Sequence, residues 1–386
     1  MSRTLILLLT LVSLCSVAVA RHDNRTRKDD EKRKHETKIE RSLATDPQVV
    51  VSICVSSGNI KVNGWSNNEV RVSSVEAGEI ELKRKDVGTG AVQKMDVRVR
   101  DKQNETTSGD PCDAYSDIEV NVPRGATVQL QTRDSDIDVE NVAVVYANTQ
   151  NGNIDVERAT RLVEAATIGG GISLRDSTGR ISAHSAGGTI EAVNVRPLDR
   201  TDVFEARSLG GEISLDHVAH TQVSANTLNG SLRVEGPLAA HGRYNFRTMS
   251  GDLTLSLPAE SSFQVSARYS QGAEVITDFP ITLTSLTTAK RAASPGAVVA
   301  PAAVGVPAPV VKPMPAPGAP PATPPDPKAV PAEDAEDGMV KVKTKKGMVV
   351  VNMAGLSMRR IDGVCGTGDA KLELASFSGT IHLQRQ

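Results

Sequence analysis

Apolar and polar residues alternate along most of this chain, in paired short runs separated by a glycine-containing bend. Aligned on the aliphatic residue that opens the second run, nine units superimpose, with anchors Ile137, Ile154, Ile172, Ile190, Ile213, Leu232, Leu253, Val349 and Ile381. Nine positions before each anchor stands a larger apolar residue, from Val128 and Val145 to Val340 and Leu372. Seven before it the residue is apolar and often small, as at Ala147, Ala165, Ala183, Ala206 and Ala225. Five before it is always a hydroxyl: Thr132, Thr149, Thr167, Ser185, Ser208, Thr227, Thr248, Thr344 and Ser376. Two before it is Gly152, Gly170, Gly188, Gly211, Gly230, Gly251, Gly347 or Gly379, with Ser135 the exception. A weaker tenth unit runs from Val51 to Val62, with Val55 at the hydroxyl position.

A period of two puts positions −9, −7 and −5 on one face of a strand, and positions 0 and +2 on the inward face of a second strand. The glycine between them permits a positive φ or a close backbone approach. From Ile137 to Leu253 the anchors lie 17, 18, 18, 23, 19 and 21 residues apart, which is one coil of a solenoid per unit. The predicted fold is therefore all-β: a repetitive β-solenoid of stacked rungs of short parallel strands, with the hydroxyls forming an inward ladder. A two-sheet sandwich is the alternative, but it needs varied connections where this chain repeats one strand–bend–strand order. Asp117–Pro123 and Asp252–Pro258 share a further pattern of three alternating apolar residues and a proline, each followed by a turn and a fresh strand at Val128 and Val265.

The flanking segments read differently. Residues 1–20, with Arg3, the apolar run Leu5–Val17 and Ala18-Val19-Ala20, have the form of a secretory signal peptide. No other stretch is long and apolar enough for a transmembrane segment. Residues 21–46 are dense in both charge signs and poor in apolar groups, a composition expected to be disordered. Residues 291–338 are rich in Ala, Pro and Val, which favours extended polyproline II. Matched repeats recur beyond them. The expected organisation is thus a β-solenoid over 47–290, a Pro/Ala-rich disordered insertion over 291–338, and terminal rungs over 339–386 that dock back on 47–290 and cover an open sheet edge.

At the level of motifs the chain resembles the bacterial "putative adhesin" β-solenoid family, an exported domain of unknown function. The resemblance rests on Val122-Pro123-Arg124-Gly125-Ala126, the serial T/S-x-x-G-x-I units, Tyr244 through Pro258, Phe263-Gln264-Val265-Ser266-Ala267, and Gly366 to Ala370 continuing to Gly379-Thr380-Ile381. It covers roughly residues 47–290 and 339–386, and it implies adhesion or surface roles without marking a site.

Composition narrows the function. Aromatic residues make up 3 % of the chain and its formal net charge is −2, so neither a stacking platform nor the basic excess of a nucleic-acid binder is present. Beyond the leader stand Cys54, Cys112 and Cys365. An odd count allows one internal disulfide; Cys54–Cys112 would staple the amino-terminal region, though the spacing does not require it. The histidines sit in no metal or catalytic motif, and His217 and His220 are expected at the surface. The one acidic constellation is Asp138, Glu140, Asp155 and Glu157. In stacked rungs their carboxylates repel, which a bound Ca²⁺ would offset, as would Arg175 placed beside Glu157.

No cofactor is expected. These features point to a non-catalytic exported scaffold for adhesion or interaction, placed in the periplasm, at the cell surface or outside the cell. Its expected partner is an envelope glycan or protein, and the chain is expected as a monomer or a weak self-associator. An envelope-stress regulatory module and a β-helix carbohydrate-active enzyme are the alternatives. The enzyme would need paired carboxylates and aromatic sugar platforms, whereas the outward positions Gln129, Gln131, Asn148, Ser182 and His184 are mixed polar.

Overall fold

A computed structural model describes residues 38–75, 77–101, 112, 114–270, 273–288, 339–344, 347–352 and 359–386. The regular elements among them are all strands, and none is a helix that could cross a membrane. The segments read as a signal peptide (1–20) and as the Pro/Ala-rich insertion (291–338) lie outside the described residues.

Each repeat unit is one rung of a parallel β-solenoid. The first strands of successive units stack in one sheet with Val128, Val145, Val163, Ile181, Phe204, Val223 and Tyr244 as in-register neighbours. The second strands stack in another, with Ile60, Ile137, Ile154, Ile172, Ile190, Ile213, Leu232 and Leu253 in register. These anchors are at most 2 % exposed. The tenth unit, Val51 to Val62, is a true rung, because Val51 pairs with Val128 and Ile60 with Ile137. The core is a narrow channel, and the small residues at −7 (Ala165, Ala183, Ala206, Ala225) are fully buried in it.

The hydroxyl ladder forms as a relay. Thr167 Oγ1 accepts from the Gly170 N–H of its own bend at 3.1 Å and donates to Gly152 O of the preceding rung at 2.9 Å. Ser185, Ser208 and Thr227 do the same with Gly188 and Gly170, Gly211 and Gly188, and Gly230 and Gly211. The bends therefore stack so closely that a Cβ on Gly188 would lie 2.0 Å from Gly170 O, and only glycine fits. The two exceptions in the repeat compensate each other. Val55 supplies no hydroxyl for its bend, and Ser135 Oγ of the next rung accepts the Gly58 N–H at 2.5 Å instead. Thr132 departs from the expected ladder, since its buried Oγ1 has no hydrogen-bond partner.

A second corner, four residues after each anchor, turns through left-handed backbone at Asn141, Arg158, Asp176, Asn194 and His217, with φ between 50° and 60°. Short polar side chains that bond locally tolerate this conformation best, and Arg158 Nε donates to Asn141 Oδ1 at 2.8 Å in support.

The ends of the rod correct the expected organisation. The last rung, Ala370–Ser378 and Ile381–Arg385, does not cover an end. It is inserted: Ala370–Ser378 lies between Arg243–Ser250 and Phe263–Tyr269, and Ile381–Arg385 between Leu253–Leu257 and Val275–Thr277. The other end is built alike. Ile39–Cys54 lies between Val92–Asp101 and Thr127–Gln131, and Ile60–Trp65 between Ile118–Pro123 and Ile137–Glu140. The two proline-terminated runs are the crossovers that step over these inserted rungs. Each tightens with the same turn, Ala126 N–H to Pro123 O at 2.9 Å and Ser261 N–H to Pro258 O at 3.0 Å.

Three further expectations are revised. The segment 21–46, read as disordered, is strand from Ile39 onward, because Ile39–Ala44 pairs antiparallel with Glu69–Ser74; its earlier part lies outside the described residues. The unit Val340–Val351 is an antiparallel hairpin, with Thr344 opposite Gly347 and Val342 opposite Val349, so Thr344 and Gly347 belong to no ladder. It abuts the stack through Val342, which pairs with Val275. Finally, His220 is not at the surface but fully buried, its Nε2 2.8 Å from Gly179 O. Cys54 and Cys112 form a disulfide, and Cys365 is a buried free thiol.

Candidate functional site

Outward residues of the first sheet come at positions −8 and −6 of each unit, and stacking lines them up in two columns. Ser52, Gln129, Tyr146, Glu164 and Ser182 are successive neighbours in one column, and Cys54, Gln131, Asn148, Ala166 and His184 in the other. Together with Asp96 and Arg98 they line a groove of about 720 Å³. Buried backbone and core residues such as Leu130 and Ala147 form its floor. Ligand sites commonly occupy ~300–1,000 Å³, so the groove is large enough for an extended ligand.

The groove is mainly neutral and rich in hydrogen-bonding groups. Ser52 Oγ donates to Gln129 Oε1 at 3.0 Å, and Ser182 Oγ lies 2.9 Å from His184 Nε2. Asp96 is paired with Lys85 at 2.8 Å. Arg98 is half-buried, and its Nε is buried without a hydrogen-bond partner. Tyr146 is 37 % exposed and offers a ring with a polar tip. The sequence marks the amide and hydroxyl positions of this array; Tyr146, absent from them, is marked by its place eight residues before Ile154. Asp96 and Arg98 lie outside the repeat and left no such signal.

The acidic constellation stacks as expected, with Asp138 opposite Asp155 and Glu140 opposite Glu157. Burial, and after it repulsion from Asp155, raises the Asp138 carboxyl above its ordinary range, and Lys61 opposes the rise. The compensating cation is Arg158, which reaches Glu140 at 3.1 Å and also pairs with Glu157. Arg175 stands opposite Glu157 in register, but its guanidinium turns to Glu191 at 3.4 Å. Among the described residues no group of three or more His, Cys, Asp or Glu is placed to hold a metal ion.

With this geometry in view, the match to known families concerns the rungs themselves. The family model described as Toastrack DUF4097 matches residues 115–277. The matched segment takes in the rungs from the first crossover to Val275–Thr277, and the inserted end rungs reach it from outside its bounds. Solved structures similar to the chain include a putative adhesin from Bacteroides fragilis, at 17 % identity and TM-score 0.37, covering 57 % of this chain and 97 % of that one. Another, a putative adhesin from Parabacteroides merdae, has 10 % identity and TM-score 0.34, covering 58 % of this chain and 90 % of that one. No curated protein matches the chain.

Proposed function

We propose that this protein is an exported, non-catalytic interaction scaffold of the adhesion type, which holds a neutral polyhydroxylated polymer, such as an envelope glycan, along the groove of its first sheet. The observation that carries this reading is the in-register array of Ser52, Gln129, Gln131, Tyr146, Asn148 and Ser182. Amides and hydroxyls both donate and accept, which suits sugar hydroxyls. A repeat of about 4.8 Å per rung presents them at regular intervals along a chain-like ligand. The exposed face of Tyr146 supplies the one apolar contact in the array.

The reading is tested by titrating the purified protein with a panel of neutral and acidic envelope polysaccharides, using biolayer interferometry. Binding of a neutral glycan that weakens about tenfold or more in Tyr146→Ala and Gln129→Ala supports it. Retention of no glycan, or shortening of the polymer by the protein alone, refutes it.

A further inference from the structure

The bend that carries the glycine stack also carries an exposed stripe. Position −4 of successive rungs is Ile168, Ala186, Leu209, Leu228, Met249 and Phe377. Ile168 is 60 % exposed, Leu209 59 %, Leu228 39 %, Met249 50 % and Phe377 52 %. They are direct neighbours: Gly187 N–H bonds Ile168 O, Gly210 N–H bonds Ala186 O, Asn229 N–H bonds Leu209 O, and Ser250 N–H bonds Leu228 O, at 2.8–2.9 Å. Ser250 pairs with Ser378, which sets Met249 beside Phe377. The adjacent position −3 is Gly169, Gly187, Gly210, Asn229, Ser250 and Ser378. Over six rungs, then, a band two residues wide contains no charge, although 23 % of the chain is charged. The preceding rungs carry Arg133-Asp134 and Gln150-Asn151 at these positions, so the band has a polar end and an apolar end.

Contiguous exposed apolar surface of this kind marks an interaction site. We infer that it is a lateral interface between two copies of this chain, packed antiparallel about a twofold axis between Leu209 and Leu228. The band is self-complementary in that arrangement. Leu209 meets Leu228 of the partner subunit, the small Ala186 meets the long Met249 of the partner subunit, and Ile168 meets Phe377 of the partner subunit. A parallel arrangement would set Ala186 against itself and leave a gap. The glycines at −3 (Gly169, Gly187 and Gly210) leave room for the facing ridge, and the missing charges remove the like-charge contact that a twofold interface otherwise creates. Five steps of about 4.8 Å make the band about 24 Å long; at two residues wide it covers only a few hundred Å² per copy, below a standard interface and in the range of a weak, transient contact.

The inference does not rest on the glycan reading, although the ridge adjoins the groove, with Asn148, Ala166 and His184 lining a second depression together with Ile168, Ala186 and Leu209. Sedimentation equilibrium of the full-length protein, from about 1 to 300 µM, tests it. A monomer–dimer equilibrium is expected, weakened at least tenfold in the double variant Leu209→Glu/Leu228→Glu. Both side chains are exposed, and circular dichroism checks that the variant stays folded. Separately purified Leu209→Cys and Leu228→Cys chains, mixed and oxidised, should form the heterodisulfide in preference to either homodisulfide. Tyr146→Ala should leave the equilibrium unchanged. A monomer throughout the range, open polymers, an unaffected double variant or dominant homodisulfides would each overturn the inference.

Discussion

Gly210 and Gly211 are adjacent in sequence, sit in the same bend and differ by one position in the repeat, so replacing each by alanine separates steric necessity from generic bend preference. A Cβ on Gly211 would lie 1.9 Å from Gly188 O and 2.4 Å from its carbonyl carbon, whereas one on Gly210 meets nothing closer than Ala186 O at 3.5 Å. Close C···O contacts settle near about 3.3 Å, so Gly211→Ala must push neighbouring bends apart by more than an ångström. That movement strains the bonds from Gly211 N–H to Ser208 Oγ (2.8 Å), from Ser208 Oγ to Gly188 O (3.3 Å) and from Gly210 N–H to Ala186 O (2.8 Å). At about 1 kcal/mol net per bond, the loss is about 3 kcal/mol. Gly210→Ala should be neutral or slightly stabilising, by up to about 1 kcal/mol, through the unfolded chain. Urea unfolding followed by far-UV circular dichroism reads both. Equal midpoints for the two variants, or a neutral Gly211→Ala, would refute the account of the stacked bends.

Further outcomes follow from the same geometry. Thr167→Val keeps the shape but leaves Gly170 N–H and Gly152 O without their buried partner, and should cost about 2–4 kcal/mol in the same assay, against near zero for the exposed Thr201→Val. Breaking the Cys54–Cys112 disulfide, which closes a separation of 58 residues, should cost up to about 4 kcal/mol from chain entropy, read as the midpoint of Cys54→Ala/Cys112→Ala. Burial holds the His220 imidazole below its ordinary value, against the opposing bond to Gly179 O. Its contribution is therefore complete above about pH 6.5, where the unfolded residue is neutral too, and is lost as pH falls from there towards the folded value. The melting temperature should drop on acidification below about pH 6.5, and His220→Gln should flatten that part of the slope.

The rungs were legible because their physics is local. Inward aliphatic residues, a hydroxyl and a glycine recur at fixed offsets, and the structure uses each for the packing or bonding its chemistry suggests. The order of the rungs in space was not legible. Leu372, Leu374, Ile381 and Leu383 carry the same pattern whether their rung caps the stack or is inserted in it, since both edges of a parallel strand can pair. The only local trace of insertion was the pair of proline-terminated crossovers. Val340–Val351 misled because a period of two serves a hairpin as well as a rung, and the two residues between Thr344 and Gly347 are the length of a tight hairpin turn. The groove was half legible: its repeat positions follow from the anchors, while Asp96 and Arg98 come from a strand that the repeat does not index.

Inserting both terminal rungs has a consequence for how such a rod meets other molecules. A solenoid that ended on an ordinary rung would expose a parallel edge able to pair with another copy. Here the parallel stack of the first sheet is flanked at one end by Ala77–Arg84, antiparallel to Val92–Asp101, and at the other by Arg359–Cys365, antiparallel to Phe263–Tyr269. Thr282–Thr288 lies outside Arg359–Cys365 and antiparallel to it; in the second sheet Glu69–Ser74 is antiparallel to Ile118–Pro123 with Ile39–Ala44 outside it, and Met339–Thr344 pairs parallel with Val275–Thr277 and antiparallel with Gly347–Asn352. At each end, then, the outermost described strand of one sheet, Ala77–Arg84 or Gly347–Asn352, runs against the stack, so a complete further rung cannot continue the parallel register and growth end to end is disfavoured relative to lateral contact. The arrangement also orders folding, because Phe263–Tyr269 has no parallel neighbour until Ala370–Ser378 is in place. That end of the rod closes only once Ala370–Ser378 is in place, and Phe377 comes beside Met249 at the same step.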